Sequence, residues 1–428
     1  MTRNWLLSVG AVGLVLSIAA CEDDSVHITG PKGQDAFNSY VAIGTSLTMG
    51  VQSAGVAYFT QQGDWTKLLA QQARATYTQP LIAPPGCFSP LVAPLQFSRR
   101  LSGISATANP ATSIPDTVCA AFGTYTLPRN DVGIDGANVY DALRVTPETA
   151  SVDGLQRRRQ YRAVLPAGKS QVTAMMMQKP TLVSVELGAN EVLPVTTGLM
   201  LPAARYRVPY TYVPNSVWQP VYAELIDSVK KTGAKVLLVG VPNTSSIVSF
   251  RTGDELWQNR AEFATFGVVI NADCQSSANI IFVPVKVATA VGTARATGTA
   301  YNLSCTDSPG TQDNILTPAD VATTTAVVAG MNTYIQGVAA ANGWAFLDLN
   351  AVLAKAIATR GTYSVVKQLG CNTPYGQYIS LDGVHPNVVG YQEMANAAAV
   401  ALNTAYGFEI PPSDPPVAPV PYAQLCGP

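Results

Sequence analysis

Tyr40-Val41-Ala42-Ile43-Gly44-Thr45-Ser46-Leu47-Thr48 is a short apolar run closed by glycine and followed at once by hydroxyl side chains. Four apolar residues bounded by glycine read as a buried strand. In an open α/β sheet, ligands bind beyond the carboxyl ends of the strands, so Ser46 stands where chemistry is done. Ser46 can also open a helix, whose N-terminal amides and dipole favour a developing negative charge. A serine at this place serves equally well as a cap or turn residue, and the stretch alone leaves both roles open.

Outward from this run, strand and helix signals alternate. Trp65 to Gln72 reads as a helix, Val132 to Ile134 as a weak strand, and Thr181 to Leu187 as a stronger one ending at Gly188. Val221, Leu225 and Val229 recur at helical spacing before Gly233, and Lys235 to Val241 is again strand-like. Thr317-Pro318 with Asp320 supplies a capping hydroxyl, a proline at the first helical position and an acid in the first turn. That helix can run to Asn342-Gly343, followed by a fifth strand from Trp344 to Leu349 and a last helix from Tyr391 to Leu402. Strands separated by helices predict an α/β fold: a three-layer, doubly wound parallel sheet of five strands. Two stretches, near 75–130 and 244–314, are too long for simple connections and read as irregular insertions.

The bulk numbers agree with a folded domain. Of 428 residues, 47% are hydrophobic and 12% charged, which supplies a core and excludes disorder throughout. The net charge of −1 gives no reason to expect nucleic acid as a partner. Residues 1–20 carry Arg3 and then an uncharged apolar segment too short for a membrane span. The segment ends Leu16-Ser17-Ile18-Ala19-Ala20-Cys21, which resembles a bacterial lipobox. We therefore expect a lipoprotein signal peptide (1–20), lipid on Cys21, export and attachment to a membrane. An ordinary signal peptide with a chance cysteine is the alternative. Residues 21–38 read as a tether, 39–408 as the folded domain, and 409–428 as a Pro-rich tail.

Six cysteines remain: Cys87, Cys119, Cys274, Cys305, Cys371 and Cys426. An even number in an exported chain favours disulfides, with fifteen pairings open. Their spacing in three near pairs suggests sequential bridging. No Cys-x-x-Cys occurs, and no metal site is expected.

The chain has two histidines, His27 and His385. His27 falls in the expected tether, where a catalytic geometry could not be held. His385 lies in Asp382-Gly-Val-His-Pro-Asn, just before the last helix. An aspartate three residues ahead of a histidine in a tight turn can accept the ring Nδ1–H and leave Nε2 as a base. At the end of another strand, Gly188-Ala189-Asn190-Glu191 offers the Asn190 amide to an oxyanion.

Together these segments resemble the blocks of the SGNH (GDSL-like) hydrolase family. Gly44-Thr-Ser-Leu-Thr is similar to the family's Gly-Asp-Ser-Leu, whose serine is the nucleophile. Gly188-Ala-Asn is similar to Gly-x-Asn-Asp, whose asparagine donates to the oxyanion. Asp382-Gly-Val-His-Pro is similar to Asp-x-x-His, which supplies acid and base. The resemblance implies an SGNH/flavodoxin-like sheet with Ser46, Asp382 and His385 as the catalytic triad. The oxyanion hole would be formed by Ser46 N–H, Gly136 N–H and Asn190, with Gly86 a weaker candidate for the glycine. Thr45 and Glu191 depart from the family's aspartates at those positions. The implied activity is that of an exported serine esterase or lipase acting on a carboxylic ester without cofactor. A polysaccharide O-acetylesterase or an acyltransferase would use the same site, and a non-catalytic binding lipoprotein is the reading from a different class. No Gly-x-Ser-x-Gly elbow occurs, which disfavours the α/β-hydrolase fold.

Overall fold

The computed structural model describes residues 30–103, 105, 119–150 and 155–413. Cys21, His27 and Cys426 lie outside the described residues, as do the signal segment and most of the Pro-rich tail.

Four parallel strands form the central sheet: β1 (Tyr40–Gly44), β2 (Leu182–Glu186), β3 (Lys235–Val239) and β4 (Ala345–Leu347), side by side in that order. Alternate side chains go to opposite faces, and both faces are apolar, as a parallel sheet covered on both sides requires. Val41, Ile43, Val183, Val185, Val236 and Leu238 enter one core. Helices α3 (Gln171–Met177), α4 (Asn215–Lys230) and α6 (Pro318–Asn342) cover it. Tyr40, Ala42, Leu182, Leu237, Val239 and Leu347 enter the other. There α2 (Trp65–Gln72) and α8 (Val388–Tyr406) pack, with Trp65 and Tyr391 fully buried. The result is the expected three-layer α/β arrangement.

The weak strand expected at Val132 to Ile134 is a correction. Val132 to Ile134 lies beside β1, with Val132 N–H donating to Ala42 O at 2.9 Å and Ile134 N–H to Gly44 O at 3.1 Å. Only an isolated parallel bridge, Ala42 to Asp131, forms there. Gly133 N–H turns instead to the Asp131 carboxylate at 2.7 Å, which breaks the ladder after one residue. The sheet therefore has four strands and a short paired edge.

The helix signals were legible where caps are strong. Thr317 accepts from Asp320 N–H, Asp320 returns the bond, and Gly343 closes α6 at φ 63. Part of the expected tether is structured: Phe37 is buried against the Tyr40 ring at 5.3 Å, and Glu409 N–H donates to Lys32 O at 2.9 Å. An aromatic residue gains more by covering the end of the sheet than by staying in solvent.

Nor is the 244–314 segment irregular. Phe250–Thr252, Ile280–Phe282 and Ile315–Leu316 form a small antiparallel sheet, and Val268–Ile270 pairs in parallel with Tyr301–Leu303. Helix α5 (Val283–Thr297) packs over them. Leu256, Phe263, Val287 and Leu303 make a separate core, completed by Leu369 and Tyr375 from far along the chain. That distant contribution is invisible in the local pattern. The disulfides Cys87–Cys119 and Cys274–Cys305 form within the two insertions, and Cys371 is disulfide-bonded as well.

Candidate active site

Ser46 is the first residue of the short helix α1 (Ser46–Met49), directly beyond β1. Thr45 would ordinarily cap this turn, but its side chain makes no cap bond. Its N–H and hydroxyl instead both go to the buried Glu186 carboxylate at 2.8 and 2.9 Å, joined by the Thr48 hydroxyl at 3.1 Å. Glu186 ends β2 and thus grips the residues flanking Ser46 from beneath. Gly44 is required here: a Cβ on it would meet Thr48 Oγ1 at 2.1 Å and Glu186 Oε2 at 2.8 Å. Burial pushes the Glu186 carboxyl up to about 7, against the lowering effect of the bonds from Thr45 and Thr48. Sequence reasoning passed over this residue. Its signal was a single acid closing a buried strand of Leu, Val and Ser, where charge is rarely buried without a partner.

His385 and Asp382 meet as expected. His385 Nδ1 lies 2.7 Å from Asp382 Oδ2, and the side chains are 13% and 8% exposed. Asp382 Oδ1 accepts from Val384 N–H at 2.8 Å and His385 N–H at 2.9 Å. Burial alone would raise the Asp382 pKa, but the His385 charge and these hydrogen bonds outweigh it and hold it below the usual carboxylate range. Burial likewise acts to lower the His385 pKa, and the Asp382 charge and hydrogen bond reverse that and raise it. With Nδ1 donating to the aspartate, Nε2 is left able to accept a proton.

The turn carrying this pair is braced by the second insertion. Ser249 Oγ donates to Gly383 O at 2.7 Å. Gly383 sits at φ 76, and a Cβ there would meet Ser249 Cβ and Pro284 Cγ, each at 2.7 Å. Only glycine combines the left-handed backbone with that approach.

Asn190 follows β2 on a 3-10 turn (Ala189–Glu191). One of its amide hydrogens goes to Ala137 O at 2.8 Å, leaving the second for a ligand. Glu191 is fully buried and accepts from Val139 N–H at 2.8 Å and the Tyr206 hydroxyl at 2.9 Å. The Asn190 and Glu191 bonds thus tie the Asn190 turn to the 136–139 loop. Gly136 stands in that loop at φ 72, next to Ala137.

Ser46, Asn190 and His385 line one cavity of about 100 Å³, with Leu47, Leu349 and Met394 among its apolar walls. The Ser46 hydroxyl and the His385 ring reach it without a hydrogen bond between them; unliganded sites are often looser than their complexes. Gly136 and Gly86 are not among the residues that line it. This arrangement offers a hydroxyl, an oriented imidazole and an amide donor around one apolar space.

No family model matches the chain, and no curated protein matches it significantly. Among solved structures it is similar to a GDSL-like lipase from Parabacteroides merdae, at 13% identity and TM-score 0.28, over 64% of this chain and 71% of that one. It is also similar to a variant of an acetyl-xylooligosaccharide esterase from Geobacillus, at 14% identity and TM-score 0.35, over 86% of this chain and 94% of that one. Likeness at this level assigns neither family nor activity.

Proposed function

We propose that the protein is a serine esterase of the SGNH type. The observation that carries this reading is the convergence of Ser46, Asn190 and His385 on one cavity, with His385 held by Asp382. In the proposed reaction His385 Nε2 takes the Ser46 proton as Oγ attacks the ester carbonyl. The Asn190 amide and the Ser46 N–H at the start of α1 stabilise the oxyanion; Gly136, the sequence's candidate for a third donor, stands in the loop that Asn190 holds, outside the residues that line the cavity. His385 then protonates the departing alcohol, and water releases the acyl group by the reverse roles.

We further propose export and lipid attachment at Cys21, on the basis of the small-residue run that precedes it. Mass spectrometry of the mature N-terminal peptide tests this: cleavage elsewhere with Cys21 unmodified would overturn it.

The enzymatic reading is tested by incubating the purified protein with p-nitrophenyl esters and measuring nitrophenol and free acid together. Ser46-dependent release of both in equal amounts supports an esterase. Nitrophenol without free acid, in the presence of an added alcohol, would mean acyl transfer to that alcohol. No release above the Ser46→Ala protein, from any ester, would favour a binding lipoprotein.

A further inference from the structure

Two cavities meet at the histidine. The narrower, about 100 Å³, is the one lined by Ser46 and Asn190, with Leu47, Val352, Leu353 and Met394 beyond them. The wider, about 910 Å³, has neither Ser46 nor Asn190 on its walls. Leu95 and Phe97 come to it from the first insertion, Val285 and Ala288 from helix α5 of the second. Leu193, Val384 and His385 belong to both. Phe97 and Val285 are 52% and 46% exposed, so the wider cavity keeps large apolar side chains in contact with water. In the narrower one the charges of Lys355 and Glu393 satisfy each other at 2.7 Å, which leaves no lone charge to recognise a polar acyl group.

Acyl transfer treats the halves of an ester differently. Ser46 Oγ forms a bond to the carbonyl carbon, whose oxygen takes up the charge beside Asn190. The carbon–oxygen bond to the alcohol then breaks, and that oxygen takes the proton held by His385. The acyl half stays with the serine and the amide donor. The alcohol half departs next to the histidine. Of the two cavities, one holds the serine and the asparagine, and the other has His385 but neither Ser46 nor Asn190 on its walls.

Resting on the esterase reading above, we propose that the narrow cavity binds the acyl chain and the wide cavity between the two insertions binds the alcohol. The acyl half is apolar, whereas the wide cavity carries Arg100, Arg295 and Gln96 among its apolar walls. The substrate class is an ester of an aliphatic acid longer than acetic with a bulky alcohol. Burial of each added CH₂ in such a cavity raises kcat/KM by about fourfold until the space is filled. Two independent chain-length slopes follow, one for each half.

The test uses two substrate series on the full chain: methyl esters of acids from acetic to decanoic, and acetates of alcohols from methanol to decanol. Val352→Trp, on a partly exposed helix position, fills the narrow cavity; Ala288→Trp, on an exposed one, fills the wide cavity. Val352→Trp is expected to flatten the acyl slope by at least tenfold between the ends of the series and leave the alcohol slope standing. Ala288→Trp is expected to do the reverse. Should either variant fail to fold, Leu353→Phe and Val285→Trp probe the same walls. Slopes that both respond to one substitution, to neither, or in crossed order overturn the assignment. Flat slopes in an enzyme whose Ser46 still reacts with a small fluorophosphonate overturn only the subsites. A chain that neither reacts with that probe nor hydrolyses any ester removes the esterase reading beneath them.

Discussion

Ala54 donates its backbone N–H to Asp382 Oδ2 at 2.5 Å, the same oxygen that pairs with His385 Nδ1 at 2.7 Å. The loop that leaves the Ser46 helix therefore helps hold Asp382. Ser53 strengthens the tie through Ser380 Oγ at 2.8 Å, and Tyr391 of α8 donates to Val51 O at 2.7 Å. Ser46 and His385 come from opposite ends of the chain and are clamped by the same few residues.

This clamp makes the triad substitutions informative. Asp382→Asn would put an NH₂ group either against Ala54 N–H and the ring nitrogen together, favouring the wrong tautomer of His385, or against the Val384 and His385 amides. Ser46→Ala and His385→Ala are each expected to lower kcat by about 10³-fold or more, with Asp382→Asn doing equal or lesser damage. Circular dichroism checks that the variants are folded. Normal turnover by His385→Ala would remove the triad, because His27 is the one other histidine of the chain.

Asn190 has a narrower role. Its loss as an oxyanion donor is expected to cost about 10²–10³ in kcat in Asn190→Ala, with a smaller change in KM. Because its amide also holds Ala137 O, steady-state kinetics should be paired with a melting curve. A rise in KM alone would assign Asn190 to ground-state binding instead.

The pH profile follows from the Asp382–His385 pair. His385 must be neutral to act as base, and the Asp382 charge holds its pKa above 6.5. Activity is therefore expected to fall as pH drops through a value above 6.5, and in Asp382→Asn that inflection should move to lower pH. The profile of kcat/KM against pH checks it; an acid limb at pH 5 would contradict the assignment.

Glu191 links pH to stability rather than to turnover. Its carboxyl is fully buried, with Oε1 bonded and Oε2 without a partner, and burial pushes it up to about 7. A folded pKa above the unfolded value of about 4.3 gives stability that is present below the unfolded pKa and lost as pH rises through about 7. Glu191→Gln keeps Oε1 and removes the ionisation. The variant is expected to gain in Tm relative to the parent between pH 5 and pH 8. A difference in Tm independent of pH would contradict the account.

The sequence made parts of this legible and hid others for identifiable reasons. β1, β2, β3 and α6 could be read because burial on both sheet faces leaves continuous Val, Ile and Leu runs, and Thr317 with Asp320 makes a reciprocal cap. Ser46, Asp382 and His385 stood out because residue type and local turn chemistry are contained within a few positions. Val132 to Ile134 was overread as a strand because Asp131 captures the Gly133 amide, a side-chain competition that a period of two does not reveal. Glu186 under Thr45 and Ala54 against Asp382 depend on contacts across 141 and 328 positions, which no local pattern encodes. The core of the second insertion needs Leu369 and Tyr375 for the same reason.

The central claim is that Ser46 is a nucleophile activated by His385. Labelling with a fluorophosphonate, followed by peptide mass spectrometry, measures this directly. The account predicts one label per chain, on Ser46, reduced by at least 10²-fold in rate in His385→Ala. No label on the folded parent protein, or a label on another residue, would contradict it.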